Sequence, residues 1–287
     1  MQGAISSYLV PGSEPTLVDP GPVTSLHNLE AGLTRLGYQP ADIRRICLTH
    51  VHLDHAGCVG EWVARRPGTE VVVHHEGAPH LANPAKLVAS TRRTFGEAHD
   101  RLWGDVVPVP QDALRPWHPD EPGPAGLRVV PTPGHIQHHL SYLHESSGTL
   151  LAGDALGIVL APHAPTHPAT PPPSVQVDAW MDTLQRLAGL GLEAVGVAHF
   201  GIHGGPKDRV RQMRDALEAL TERVRTAMRM DDPEDRRRFQ EDTVSLQSGT
   251  RARAEVEKYF GAFSAASDWD GMRFWLERND PEFTGPS

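Results

Sequence analysis

The chain has 287 residues, 22% of them charged and 39% hydrophobic, with a formal net charge of −9. That is ordinary globular composition, long enough for one large domain or a domain with an appendage, and the acidic balance argues against a nucleic-acid partner or an anionic membrane partner. No stretch of about 18 apolar residues exists, the two cysteines Cys47 and Cys58 are too few for a disulfide framework, and the opening MQGAISSYLVPGSEP lacks the marks of a signal peptide, so a cytoplasmic protein with reduced thiols is expected.

In chain order, short β-branched runs alternate with helical patterns and Gly/Pro punctuation as far as residue 205 or so. ISSYLV, TLVD, RICLTH, EVVVHH, DVVPVP, LRVVPT, LSYLHE, TLLAGD and EAVGVAH read as strands. Leu26, Leu29, Leu33 and Leu36 repeat at helical spacing, and AGCVGEWVARR reads as a helix after the stretch THVHLDH. The Pro-rich APHAPTHPATPPPS, lying between a strand and a helix, reads as a covering loop rather than a linker. After Pro206 the strand signals stop. Val210, Met213, Leu217, Leu220, Val224 and Met228 form one helical stripe, Val256, Tyr259, Phe260 and Phe263 another, and SDWDGMRFWLER a third short helix. DDPEDRRRFQED reads as a solvated helical surface. The expected organisation is a mixed α/β catalytic domain over residues 1–205 followed by a helical C-terminal extension over 206–287. The stripes of that extension need a surface to dock on, either the first domain or a second subunit in a homodimer.

Seventeen histidines stand out, and three of them crowd one stretch with an aspartate. His50 and His52 sit two apart where the strand RICLT ends, so both point to the same side and can reach one metal ion. Asp54 and His55 follow in the turn and point to a neighbouring position. Imidazole and carboxylate suit zinc, iron or nickel, and donors at a strand end leave a metal open to a crevice. Such a motif is short enough to recur by chance, but each remaining candidate also ends an apolar run: His135 in TPGH, Asp154 in LLAGD and His199 in VGVAH. One end of a sheet is where such groups converge.

With these residues in order, residues 1 to 205 resemble the metallo-β-lactamase superfamily, including an early LVDPG that contains Asp19. The resemblance implies an α/β fold, a four-layer αβ/βα sandwich, with two metal positions. His50, His52 and His135 would hold the first, Asp54, His55 and His199 the second, and Asp154 would bridge them. The cofactors implied are two divalent ions per chain, zinc first, with manganese or iron as alternatives. GAPHLANPAKL, RLWGDVVPVP, ATPPPS, VAHFGIHGG and the helical tail look like a glyoxalase-II-like or lactonase-like branch. Asp19 matches a residue that supports the site without binding metal; it either hydrogen-bonds a ligand such as His50 or His52 or simply makes the turn before Pro-Gly. Candidates for the surrounding shell or the substrate pocket are His80, His138, His163, His167, Phe200 and His203, against turn, surface or packing roles for each. His74 and His75 divide between solvent and packing, and Tyr142 and Trp103 read as core.

Two close cations lower the pKa of a shared water and polarise a substrate oxygen, and Asp54 can both ligate and relay a proton. The expected function is a dinuclear hydrolase acting through a metal-bridging hydroxide on a small-molecule ester, thioester or lactone, with phosphodiesters a lesser option. The alternatives are a mononuclear iron persulfide dioxygenase on the same fold and a non-catalytic binding module; seven filled donor positions weigh against the latter.

Overall fold

The computed structural model of the chain describes residues 3–119, 121–124 and 126–284. Backbone contacts divide it into two compact units. One comprises Ile5–Pro131 and Leu140–Ser146; the other comprises Thr132–His139 and the chain from Ser147 on, with the few residues before Ile5.

In chain order, the first unit runs β1 (Tyr8–Val10), β2 (Thr16–Val18), α1 (Leu26–Arg35), β3 (Arg45–Cys47), α2 (Leu53–Ala56), α3 (Val59–Arg65), β4 (Glu70–His74), α4 (Ala78–Ala82), α5 (Ala85–Phe95), α6 (Ala98–Trp103), β5 (Leu114–Trp117), β6 (Leu127–Pro131) and β7 (Leu140–His144). Strands β1 to β5 form a sheet in sequence order, antiparallel between β1 and β2 and parallel thereafter. The central parallel strands read as continuous apolar runs because both of their faces are covered. Ile46, Cys47, Val71, Val72 and Val73 are all buried, and Trp62 of α3 is fully enclosed in the same core. Strands β6 and β7 pair as an antiparallel ribbon. Helix α1 buries Leu26 and Leu33, while Leu36, the last leucine of the periodic set, is the C-cap and stays 65% exposed, because Gly37 turns the chain away at φ 84°.

The second unit contains β8 (Thr149–Gly153), α7 (Val177–Ala188), β9 (Ala194–Val197), β10 (Gly201–His203), α8 (Pro206–Arg229), α9 (Asp235–Gln247), α10 (Arg253–Ala262) and α11 (Ala265–Asn279). Helix α7 is the crossover between parallel β8 and β9, and β10 returns antiparallel to β9. The buried stripe of α8 is Val210, Met213, Leu217, Leu220, Val224 and Ala227. Helix α11 packs on both α8 and α9, α10 packs on α9, and α8 also packs on α7.

Three expectations are corrected. DVVPVP is not a strand: Pro108 and Pro110 lack the amide hydrogens a ladder needs, and Val109 N donates instead to the carbonyl of Leu81 at 2.9 Å. The strand beside β4 is β5, an edge strand whose Arg115 and Pro116 are exposed and break the apolar pattern. Asp54 and His55 lie in the one-turn helix α2, not in an irregular turn. The charged run after Met230 is not wholly solvated either. Asp235 is buried, which by itself would raise its carboxyl, but hydrogen bonds from the Arg223 guanidinium and Trp269 Nε1 hold it below the usual carboxylate range.

Candidate metal centre

In the first unit the segment after β3 is tied down before it reaches its histidines. Leu48 N donates to the Val72 carbonyl at 2.9 Å, Leu140 N donates to the Thr49 carbonyl at 2.8 Å, and the buried Tyr142 hydroxyl donates to the Leu48 carbonyl at 2.8 Å. Tyr142 is core, as expected, and burial pushes its phenol well above the ordinary range. Asp19 fixes the same segment from the end of β2, with Oδ1 accepting from Thr49 N at 2.8 Å and Oδ2 from Thr49 Oγ1 at 2.7 Å. It adopts a left-handed backbone (φ 50°), which an aspartate tolerates better than most residues.

Proton bookkeeping then sets the tautomers. Asp19 Oδ2 lies 2.9 Å from His55 Nδ1, so that nitrogen carries the proton and donates it. The single hydroxyl proton of Thr49 is spent on Asp19, so at the 3.1 Å contact His50 Nδ1 is the donor and Thr49 Oγ1 the acceptor. In both rings Nε2 becomes the electron-pair donor. His55 Nε2 stands 3.5 Å from Asp54 Oδ2, and the His50 ring centroid lies 4.5 Å from that of His52 and 4.0 Å from that of His55. His52 is the N-cap of α2, and its carbonyl accepts from His55 N and Ala56 N. Asp19 thus serves a candidate ligand, but that ligand is His55 rather than His50 or His52.

The second unit repeats the logic. His135 follows Gly134, whose φ of 153° and near contact with Trp180 leave no room for a side chain: a Cβ there would lie 2.3 Å from Trp180 Cγ. The Trp180 ring stands edge-on to His135 at 5.9 Å, and Trp180 Nε1 donates to the Ala155 carbonyl beside Asp154. His135 Nδ1 faces the Ala169 carbonyl at 2.8 Å and His199 Nδ1 faces the Ala4 carbonyl at 2.6 Å. A carbonyl only accepts, so both rings carry their proton on Nδ1 and present Nε2 as a lone pair. Asp154 meets those lone pairs with one oxygen each: Oδ2 lies 3.3 Å from His135 Nε2, and Oδ1 lies 3.7 Å from His199 Nε2. His135, Asp154 and His199 are each no more than 2% exposed. Acceptor facing acceptor in a buried place is unfavourable unless a cation or an added proton lies between. Each unit thus presents two imidazole Nε2 atoms and a carboxylate, donors of the kind that suit divalent transition-metal ions.

Several residues that hold these donors were not among the sequence candidates. His139 accepts a hydrogen bond from Asp154 N at Nε2 (3.2 Å) and meets Thr132 Oγ1 with Nδ1 (2.8 Å), so it steadies Asp154 and has no Nε2 lone pair to offer a metal. Its signal was its place four residues after His135, just before β7. Thr49, immediately before His50, was the other signal available; the Ala169 carbonyl had none.

The shell and pocket candidates stand outside both donor clusters. His138 is buried. His80 is exposed on α4 and His163 is exposed in the Pro-rich loop. His167 does not line an entrance: it is buried, with Nε2 2.8 Å from Asp268 Oδ2. Phe200 has a left-handed φ of 69° and lies between Tyr259 and the Arg251 guanidinium. His203 is buried on β10, where burial and nearby Arg209 lower its pKa. His74 and His75 are half-buried and stacked, with His118 beyond them.

The sequence profile of the metallo-β-lactamase superfamily matches residues 1–199. The probable metallo-hydrolase YqjP of Bacillus subtilis is 28% identical over 172 residues, 54% of this chain and 53% of that protein. A hydroxyacylglutathione hydrolase of Rhodopseudomonas palustris is 35% identical over 129 residues, 45% of this chain and 38% of that protein. The chain thus spans about half of YqjP and less of the hydroxyacylglutathione hydrolase. Among solved structures, the metallo-β-lactamase family protein TTHA1429 of Thermus thermophilus matches with a TM-score of 0.66 at 25% identity, covering 95% of this chain and 88% of that one. Two mixed sheets with flanking helices, followed by C-terminal helices, match the α/β sandwich expected from the sequence. Among the described residues, no helix is long and apolar enough to cross a membrane.

Proposed function

We propose, for a chain that belongs to the metallo-β-lactamase superfamily, a metal-dependent hydrolase that takes two divalent ions and acts on a small ester, thioester or lactone. In this reading, which membership of the superfamily implies, His50, His52 and His135 would hold one ion, Asp54, His55 and His199 the other, and Asp154 would be shared between them. Zinc is the first choice, with manganese or iron as substitutes. The observation that carries the reading is the pair of contacts at Asp154, whose two oxygens each face the Nε2 of an imidazole that a backbone carbonyl holds through Nδ1. A carboxylate placed between two such nitrogens is suited to sharing two cations.

Bound metal ions would supply a nucleophile from water near neutral pH and polarise the carbonyl under attack. The chain's own residues do the rest. Asp19, Thr49 and the carbonyls of Ala169 and Ala4 keep the imidazole protons on Nδ1. Asp54 keeps one carboxylate oxygen for ligation and uses the other to take the proton of the attacking water and return it to the leaving group. The names of the relatives support hydrolysis, and the hydroxyacylglutathione hydrolase match favours acyl thioesters within the substrate class. Phosphodiesters remain the lesser option.

A panel of lactones, acyl thioesters, phosphodiesters and glutathione persulfide, run with and without oxygen, tests this. Turnover of a lactone or thioester under anaerobic conditions, restored to stripped protein by zinc or manganese, is the expected result. Oxygen consumption with the persulfide, restored by ferrous iron alone, would replace the hydrolase with a mononuclear iron dioxygenase.

A further inference from the structure

The C-terminal helices reach His135 through a loop. The carbonyl that fixes the tautomer of His135 belongs to Ala169, and both flanks of Ala169 are bound to one residue of α11. Asp268 Oδ1 accepts from Thr170 N at 2.6 Å, its backbone carbonyl accepts from Thr170 Oγ1 at 2.8 Å, and its Oδ2 accepts from His167 Nε2 at 2.8 Å. Asp268 is only 6% exposed and lies in the first turn of its helix, where a carboxylate is favoured by the helix dipole. His167 is held in place as well, through a two-way backbone pairing with Ile158 at 2.8 and 2.9 Å and ring contacts with Phe239 and Phe260.

Gly271 shows how closely the helix presses on this loop. A Cβ at that position would lie 1.7 Å from the Thr170 carbonyl oxygen. Glycine inside a helix is destabilising relative to alanine, and here the missing side chain lets the backbone of α11 seat directly on residue 170. A tail that only covered apolar surface would need neither this approach nor three hydrogen bonds to one buried residue. The tail also borders His199, whose ring lies 5.7 Å from that of Tyr259 and 5.2 Å from that of Phe263.

We infer that Asp268 is a positioning residue for His135: by clamping residues 167–170 it holds the Ala169 carbonyl where it keeps the His135 proton on Nδ1 and aims Nε2 at Asp154. The C-terminal helices are then part of the apparatus that shapes the metal site. The inference rests on the proposed role of His135 as a metal ligand, and the test separates the two.

The readout is zinc affinity, by competition with a chromophoric chelator, together with the visible spectrum of the cobalt-substituted protein. Substituting a group that orients a ligand typically costs about ten- to a hundredfold in metal affinity. Asp268→Ala should therefore bind zinc about tenfold or more weakly, with an altered cobalt spectrum. Asp268→Asn, which keeps an acceptor for Thr170 N, should recover most of the affinity. Val224→Ala, in the buried stripe of α8, controls for loss of tail stability and should bind zinc as the parent does. Unchanged affinity in Asp268→Ala alongside a large loss in His135→Ala overturns the inference and leaves the hydrolase reading standing. Unchanged affinity in His135→Ala overturns both. Where Asp268→Ala does not fold, Thr170→Val removes one hydrogen bond of the clamp at nearly constant shape; weaker zinc binding supports the inference and unchanged binding overturns it.

Discussion

Asp19 Oδ2 and His55 Nδ1 lie 2.9 Å apart in a buried contact, and the same carboxylate also holds Thr49 through its amide and its hydroxyl. One aspartate therefore fixes the proton of His55 directly and that of His50 through Thr49. Asp19→Asn separates this role from packing. Its carbonyl oxygen can still accept from Thr49 N, but its amide would donate towards His55 Nδ1 and drive the ring proton to Nε2, the atom proposed to bind metal. The Asp19→Asn protein should fold and lose about ten- to a hundredfold in metal affinity, whereas Asp19→Ala should also lose about 1–3 kcal/mol of stability from the stranded buried donors. Chelator competition and denaturant titration read the two effects separately. Parent-like metal affinity in the asparagine variant would remove Asp19 from the site.

Asp154 is the residue whose loss should be felt at both metals. Its oxygens face His135 and His199 separately. Asp154→Ala is expected to lower metal content and turnover together, and elemental analysis after reconstitution should find about two ions per parent chain and clearly fewer in the variant. Asp54→Asn should instead lower turnover more than it lowers occupancy of the position built on His50 and His135. Full occupancy in Asp154→Ala would be incompatible with a shared ligand.

The proposed donors were readable in the sequence as candidates because their chemistry and their place coincide: each of His50, His135, Asp154 and His199 closes an apolar run. The groups that orient them were not, for two physical reasons. Backbone carbonyls such as those of Ala169 and Ala4 carry no side-chain signal. Long-range partners such as Asp268, 98 residues beyond Thr170, meet their targets only in the folded chain. Among the strands, the buried parallel ones declare themselves through β-branched runs, while β5 and β10 do not. β5 is half exposed and contains proline, and β10 has three residues with Ile202 59% exposed. DVVPVP misled because residue type suggested a strand where two prolines deny it a ladder.

Both thiols should be inert in the folded protein. Cys47 and Cys58 are fully buried; burial pushes the Cys58 thiol up to about 12 and Cys47 higher still. Nucleophilicity follows the thiolate, so a disulfide reagent at pH 8 should leave the native protein unmodified and should titrate both thiols once it is denatured. Fast reaction of either one under native conditions would contradict the packing around β3 and α3.

His203 should make the protein sensitive to acid. Burial and the neighbouring Arg209 charge lower its pKa in the folded state, so folding opposes its protonation. Above the unfolded value, about 6.5, the residue is neutral in both states and has no effect on the pH dependence. As pH falls through 6.5 the unfolded chain takes up a proton that the folded chain refuses, and stability is lost until the lowered folded pKa is reached. Other titrating groups share the same experiment, so the comparison must be made between slopes. Denaturant unfolding of metal-free parent and His203→Gln protein between pH 7.5 and 5.5 supplies it. The variant should be less stable at pH 7.5, because a buried ring is lost, yet fall less steeply towards pH 5.5, by at most about 1.4 kcal/mol per pH unit, the limit for one proton. Parallel slopes would mean that His203 titrates alike in the folded and unfolded chains, and that its enclosure by β10 and Arg209 does not disfavour the charged ring.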